Sequence, residues 1–248
     1  MSATSTILRR ELSSYFRSWT AYIVAAVALL VAGVIFQGVA LGAGQRLSGQ
    51  VLEQYFWTMS GVVQILALAM SFWVIAMERY QNTIVLLNTS PVRDLDVVLG
   101  KFISLVIFLA FVLALSFYLP LLIQINGKIT YSQMFVGYFG LLLLGSASLA
   151  IGLFASAMSP AHLGAAGILI AGVVAMVING VMVLLFPLAK SMDPPLKTVF
   201  QELDLWHVHF QQGFMQGIFN LKDMVYYVAV IYFFLLLATK TMELKRWR

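Results

Sequence analysis

The stretch ERYQNTIVLLNTSPVRDLDVVLGK, residues 78–101, is a polar island between two long apolar runs. Asn82 and Thr83 give it a polar start, and Ile84, Val85, Leu86 and Leu87 supply the apolar side of a short helix. Ser90-Pro91 stops that helix, because the residue before a proline is pushed out of the α region. Asp94 is placed to cap a second helix, whose Val97, Val98 and Leu99 lead directly into the next apolar run. A chain that only had to cross lipid needs no such device, so the island reads as a docking element.

Around the island the composition sets the class. Hydrophobic residues make up 61% of the 248 positions and charged residues only 10%, against roughly 25% charged in soluble domains. A spanning helix needs about 20 mostly apolar residues, and six runs meet that need, near 20–42, 56–77, 102–125, 133–157, 163–189 and 224–239. The expected fold is therefore an all-α integral membrane protein with six transmembrane helices in a single domain. No stretch between the runs exceeds about forty residues, too short for a separate catalytic domain. The sequence has no cysteine, which excludes disulfides, thiolate metal sites and cysteine nucleophiles.

Asp, Glu, Lys and Arg are absent from all six apolar runs. Ion-coupled and proton-coupled transporters place ionisable groups at membrane depth, so energy for any transport has to arrive from outside the membrane. The 248 residues contain no GxxxxGK[ST] loop. The nearest look-alike, GAGQRLSG at 42–49, lacks the lysine. Intramembrane hydrolysis also lacks its parts, since there is no GxSxG elbow, no HExxH and no pair of carboxylates within a run.

Lysine and arginine give the orientation. With the N-terminus inside, Arg9, Arg10, Arg17, Arg79, Arg93, Lys101, Lys240, Lys245, Arg246 and Arg248 fall inside, and Arg46, Lys128, Lys190, Lys197 and Lys222 outside. Ten against five puts both termini and the island in the cytoplasm. The net charge of +5 is mostly juxtamembrane and suits anionic lipid head groups rather than nucleic acid.

Residues 5–19 read as an amphipathic helix at the interface, with Leu8, Leu12, Tyr15, Phe16 and Trp19 on the side turned to lipid. A signal peptide fits less well, because the following apolar run is long and lacks a small-residue cleavage site. In the first run Gly38 and Gly42 form a GxxxG pair, which reads either as a helix-packing or dimer face or as ordinary glycine content. The fourth run is interrupted by Gly145–Ser148 and Gly152. Asn179, near the middle of the fifth, reads as interhelical hydrogen-bond glue or as part of a substrate path. Residues 190–223 form the longest outer segment, in which Val199, Phe200, Leu203, Trp206, His207, Phe210 and Phe214 share one stripe of an amphipathic helix. His207 and His209 at i, i+2 fall on different sides of a helix with no third ligand near in sequence, so their expected role is structural rather than metal-binding.

The order of these parts resembles the permease subunits of type 2 ABC exporters, particularly the gliding-motility or copper-enzyme-maturation branch. In that branch a segment like RRELSSYFRSWTAYI precedes the first span. A loop of the form E-x-x-x-G-T-x-x-L-L-x-x-S-P-V, ending in V-L-G-K, follows the second. Glu78, Thr83, Leu87, Ser90, Pro91, Val92, Leu99, Gly100 and Lys101 match that loop, and Asn82 stands where glycine is usual. A later signature, H-F-x-x-x-F-x-x-G with a following aspartate and aromatics, matches His209, Phe210, Phe214, Gly217, Asp223 and Tyr227. The end of the chain, Glu243 to Trp247, is similar to the family's L-x-x-R-R-W terminus.

The resemblance implies that the island is a coupling helix seated in a groove of a separate ATP-binding subunit. Two such ATPases, carrying ATP and Mg, would serve two permease chains, identical or related. Glu78, Arg79, Thr83, Leu86, Leu87, Ser90, Pro91, Arg93, Asp94 and Lys101 are the candidate docking residues; no catalytic, cofactor or metal site is expected in this chain. The setting implied is a bacterial inner membrane, with an unidentified substrate, a lipid-like one among the candidates, and a further partner outside the membrane. A membrane scaffold or mechanical transducer is the competing reading.

Overall fold

The computed structural model of the chain describes residues 3–41, 48–81, 83, 93–126, 129–160, 163–191, 193–194 and 196–246. It is all helical among these residues, and six helical stretches are long and apolar enough to cross a membrane. In chain order the helices are α1 (Ala3–Arg17), α2 (Trp19–Leu41), α3 (Ser48–Ser71), α4 (Val74–Tyr80) and α5 (Asp94–Ser116). After them come α6 (Tyr118–Asn126), α7 (Tyr131–Met158), α8 (Ala165–Ala189), α9 (Leu196–Glu202) and α10 (Leu221–Arg246). Two spans are each made of two helices: α3 with α4 covers Ser48–Tyr80, and α5 with α6 covers Asp94–Ile125.

α7 is the central pillar, packed against α3, α5, α8 and α10. Its spanning window is 78% buried, against 22% for those of α2 and α8. The Gly145–Ser148 cluster does not interrupt this helix, which runs unbroken from Tyr131 to Met158. Small side chains cost it no core volume and let neighbouring backbones approach closely. At Gly152 an added Cβ would lie 1.9 Å from Ser71 Oγ and 2.9 Å from Ser71 Cβ, so only glycine fits against α3.

Ser71 also marks the bend between α3 and α4. Its hydroxyl donates back to the Ala67 carbonyl at 2.7 Å, a bond that weakens and bends a helix. The first amides of α4 are then taken up from across the interface: Ile75 and Ala76 both donate to Ser156 Oγ of α7, at 3.0 and 2.9 Å. The break between α5 and α6 is also answered from α7. Pro120 cannot donate to the Ser116 carbonyl four residues back, and the Tyr138 hydroxyl donates there instead at 3.0 Å. Tyr138 in turn meets Tyr55 of α3, hydroxyl to hydroxyl, at 3.0 Å.

Several sequence expectations change. The second span starts at Ser48 and the third at Asp94, each eight residues before the apolar run, because polar first turns are accommodated at the ends of buried helices. The α1 face carrying Tyr15 is not turned to lipid. It packs along α5, where the Tyr15 ring lies 5.9 Å from that of Phe108 and the Phe16 ring 5.4 Å from that of Phe111. Phe16, 38% exposed, and Trp19, 84% exposed, keep the expected outward position.

The stripe from Val199 to Phe214 is not one helix either. α9 ends at Glu202, a π turn covers His207–Gln211, and a short 3-10 turn covers Phe214–Gln216. Leu205, Phe210 and Phe214 are fully buried, so the segment plugs into the bundle rather than lying on it.

Replacing Gly152 with alanine is expected to destabilise the fold by about 1–3 kcal/mol through overpacking. Thermal melts of the detergent-solubilised protein measure this, and adding Ser71→Ala should recover part of the loss.

Candidate functional site

The 78–101 stretch begins in the last turn of α4 and ends in the second turn of α5. Arg93 precedes α5 in extended conformation and Asp94 is its first helical residue, so Asp94 is not the cap expected from sequence. With Asp96 it places negative charge in the first turn, where the helix dipole favours it. Thr83 folds back on α4: its amide donates to the Glu78 carbonyl at 3.0 Å. Leu86, Leu87, Ser90 and Pro91, together with Asn82 and Val92, lie outside the described residues.

The two ends of the link are joined by a buried ion cluster. Lys101, on the second turn of α5 and 1% exposed, points its ammonium at Glu78 Oε1 (2.7 Å) and Glu11 Oε1 (3.1 Å). Arg10, largely exposed, stands 3.7 and 3.8 Å from the same two carboxylates and balances the second negative charge. A buried ion pair is held only where geometry and further hydrogen bonds offset desolvation. Here α1 supplies Glu11 and Arg10, α4 supplies Glu78 and α5 supplies Lys101. Gly100 makes their approach possible, since a Cβ there would lie 2.8 Å from Ile7 Cγ2 and 3.3 Å from the Thr4 carbonyl. One turn earlier Thr4 Oγ1 donates to Asp96 at 2.6 Å. Burial, and after it the Glu11 carboxylate, pushes the neighbouring Tyr15 hydroxyl above its ordinary pKa.

Arg79 faces the other way, into the C-terminal end of α7. It is 6% exposed and donates to the Ser159 carbonyl at 2.8 Å. Lys245 of α10 converges on the same end, donating to the carbonyls of Ala157, Met158 and Ser159 at 3.2, 2.8 and 2.9 Å. The last carbonyls of a helix have no internal partner and carry the negative end of its dipole, so cationic donors are favoured there. Of the sequence-predicted docking residues, Glu78, Arg79 and Lys101 are thus turned inward, while Thr83 and Arg93 are exposed.

The remaining candidates separate cleanly. Asn179 ties three spans together: its Oδ1 accepts from Ser148 Oγ at 3.0 Å and its Nδ2 donates to Gln64 Oε1 at 2.8 Å. These are interhelical hydrogen bonds of the kind that one of the two readings expects. Gly38 has open space where its Cβ would be, so no helix of this chain packs on it, and Gly42 lies outside the described residues.

At the opposite end of the bundle each histidine has its own aspartate. His209, 1% exposed, sets Nδ1 2.7 Å from Asp223 and Nε2 3.0 Å from the Glu202 carbonyl, with Tyr226 stacked on its ring. His207 lies 3.2 Å from fully buried Asp204, whose carboxylate also accepts from the amides of Phe186 and Trp206. No group of three metal-binding side chains occurs among the described residues.

Glu11 is the site residue that sequence reading missed. Its position four residues from both Ile7 and Tyr15 put an acid on the packed face of α1, which is the available signal. Ser156 and Lys245 gave none, because their roles depend on backbone groups of distant elements.

The sequence profile of the family described as ABC-2 type transporter matches residues 2–194. The chain belongs to that family. The match runs from α1 through α8 and includes the whole link. The ABC-2 protein is accordingly a multi-pass membrane permease without a catalytic centre of its own; ATP is hydrolysed by a separate subunit with which such permeases pair. No curated protein matches the sequence.

Lys101→Met leaves Glu11 and Glu78 buried without their ammonium and is expected to cost about 3–5 kcal/mol. The triple change Lys101→Met, Glu11→Gln and Glu78→Gln should recover most of that in the same unfolding measurement, as neutral groups replace the whole cluster.

Proposed function

We propose that this chain is the transmembrane permease of an ATP-driven exporter in the gliding-motility or copper-enzyme-maturation branch, working as a pair of permease chains with two ATPases. The observation that carries this reading is the cluster of Glu11, Glu78 and Lys101, which closes the base of the 78–101 link. A link joined at its base transmits a push instead of stretching. The docking face is Thr83, Leu86, Leu87, Ser90, Pro91, Arg93 and Asp94. The anchoring side is Glu78, Arg79 and Lys101. Closure of the ATPase pair around ATP and Mg displaces the link, and the displacement reaches α1 and α5 through Lys101 and α7 through Arg79.

The lysine and arginine count supports cytoplasmic termini, and a bacterial inner membrane is the setting the resemblance implies. The second permease chain covers parts of α2 and α8, the least buried spans, with Gly38 offering a close approach. A membrane-associated, lipid-like substrate suits spans that hold no charge at mid-depth.

The test is capture of the partner from the native host. Detergent-solubilised wild type should bring down a Walker-motif ATPase, and Leu86→Glu with Leu87→Glu should lose most of it while the thermal melt stays unchanged. If no ATPase is recovered in several mild detergents, the exporter reading is overturned.

A further inference from the structure

A groove of about 1080 Å³ runs between the start of α5 and the second half of α10, at the end of the bundle that holds the ion cluster. It is separate from the ion cluster and shares Arg93, Asp94, Leu95 and Leu99 with the end of the 78–101 link. Its walls are aliphatic, from Leu95, Leu99, Leu235 and Leu236, and its rim carries four charges, Arg93, Asp94, Lys240 and Glu243. We propose that it is a binding site for one phospholipid with a zwitterionic, primary-ammonium head group, held as a resident lipid rather than a transported one.

Depth and charge order both point to a lipid. Tyr232 lines the deep end and Lys240 the rim; eight residues of helix separate them, about 12 Å. Half of a hydrocarbon core of about 30 Å is close to that, so the groove follows a single leaflet from head-group level inward. An apolar cleft that opens sideways between two spans at this depth meets acyl chains, and water is not there to fill it. The volume stands at the upper end of small-ligand sites, which suits a ligand with two chains.

The rim selects the head group. It has two cations and two anions, and Lys240 already sits 2.7 Å from Glu243. A purely anionic head group would satisfy the cations and meet two carboxylates. A phosphate followed by an ammonium answers both signs, with Arg93 and Lys240 on the phosphate side and Asp94 and Glu243 on the ammonium side. A quaternary ammonium cannot donate a hydrogen bond to those carboxylates, which separates it from a primary one. Placing the site in the cytoplasmic leaflet rests on the orientation proposed above; the site itself does not.

The full-length protein in mild detergent is titrated with phosphatidylethanolamine, phosphatidylcholine and phosphatidylglycerol of equal chain length, and bound lipid is read by native mass spectrometry. Phosphatidylethanolamine should be retained over both others. Leu236→Trp, which fills the groove, should abolish that preference, and Lys240→Ala should weaken retention about fivefold. Because the chain has no cysteine, Leu236→Cys supplies a sole thiol. Its reaction with a membrane-permeant maleimide should slow when phosphatidylethanolamine is added. Equal retention of the three lipids, or undiminished retention in Leu236→Trp, overturns the proposal. A thiol that stays shielded after the protein has been stripped of lipid overturns it too, since protein would then fill the groove. Capture of the ATPase is read separately and is unaffected by this outcome.

Discussion

One ammonium group holds the working end of this protein together. Lys101 lies almost wholly out of water between carboxylates from α1 and α4. Desolvating such a group costs several kcal/mol, and it is offset only while both partners stay in place. The register of α1 along α5, the end of α4 and the start of α5 are therefore fixed by the same contact. Gly100 is the steric condition for it, because α1 could not otherwise come close enough for Glu11 to reach. An apolar core alone would let α1 slide along α5, since dispersion contacts are not directional. Paired charges make the position unique.

The same logic extends to α7, the pillar on which the spans lean. Its small residues let neighbours approach, and its ends are finished by side chains from elsewhere. Ser156 receives two amides of α4, while Arg79 and Lys245 occupy the carbonyls left open at its C-terminal end. The end of α4, where the link begins, is thus tied to the most buried helix of the bundle. α2 and α8, by contrast, expose long apolar faces such as Ile23, Val27 and Leu30, or Leu169, Val173 and Met176. Among the described residues α7 is the buried centre of the bundle, and α2 and α8 are its most exposed spans.

The far end is built on satisfied exceptions to helical bonding. Near Pro187 the ladder of α8 is opened, and the freed groups at Met182 and Phe186 are taken by the Leu205 amide and the Asp204 carboxylate. Segment 204–214 is consequently drawn into the bundle, and Asp204, Asp223 and His209 are buried with it as paired groups. Each would be costly alone.

The class, the number of spans and the polar link were legible in the sequence because they rest on composition and run length, which depend on no distant contact. The positions of Glu78, Lys101 and the 209–223 signature were legible for the same reason: they stand at fixed offsets along the chain. The direction each side chain faces was not. Glu78, Arg79 and Lys101 look like surface charges beside apolar runs, and only the meeting of α1, α4, α5 and α7 turns them inward. The stripe from Val199 to Phe214 has helical spacing, yet tertiary hydrogen bonds to α8 break it into turns. Asn179 was an ambiguous amide until Gln64 and Ser148, 115 and 31 residues away, supplied its partners. Local patterns decide where a chain enters and leaves the membrane, because transfer to lipid is nearly additive along the sequence. Which charges are buried is decided by pairing, and pairing exists only in three dimensions.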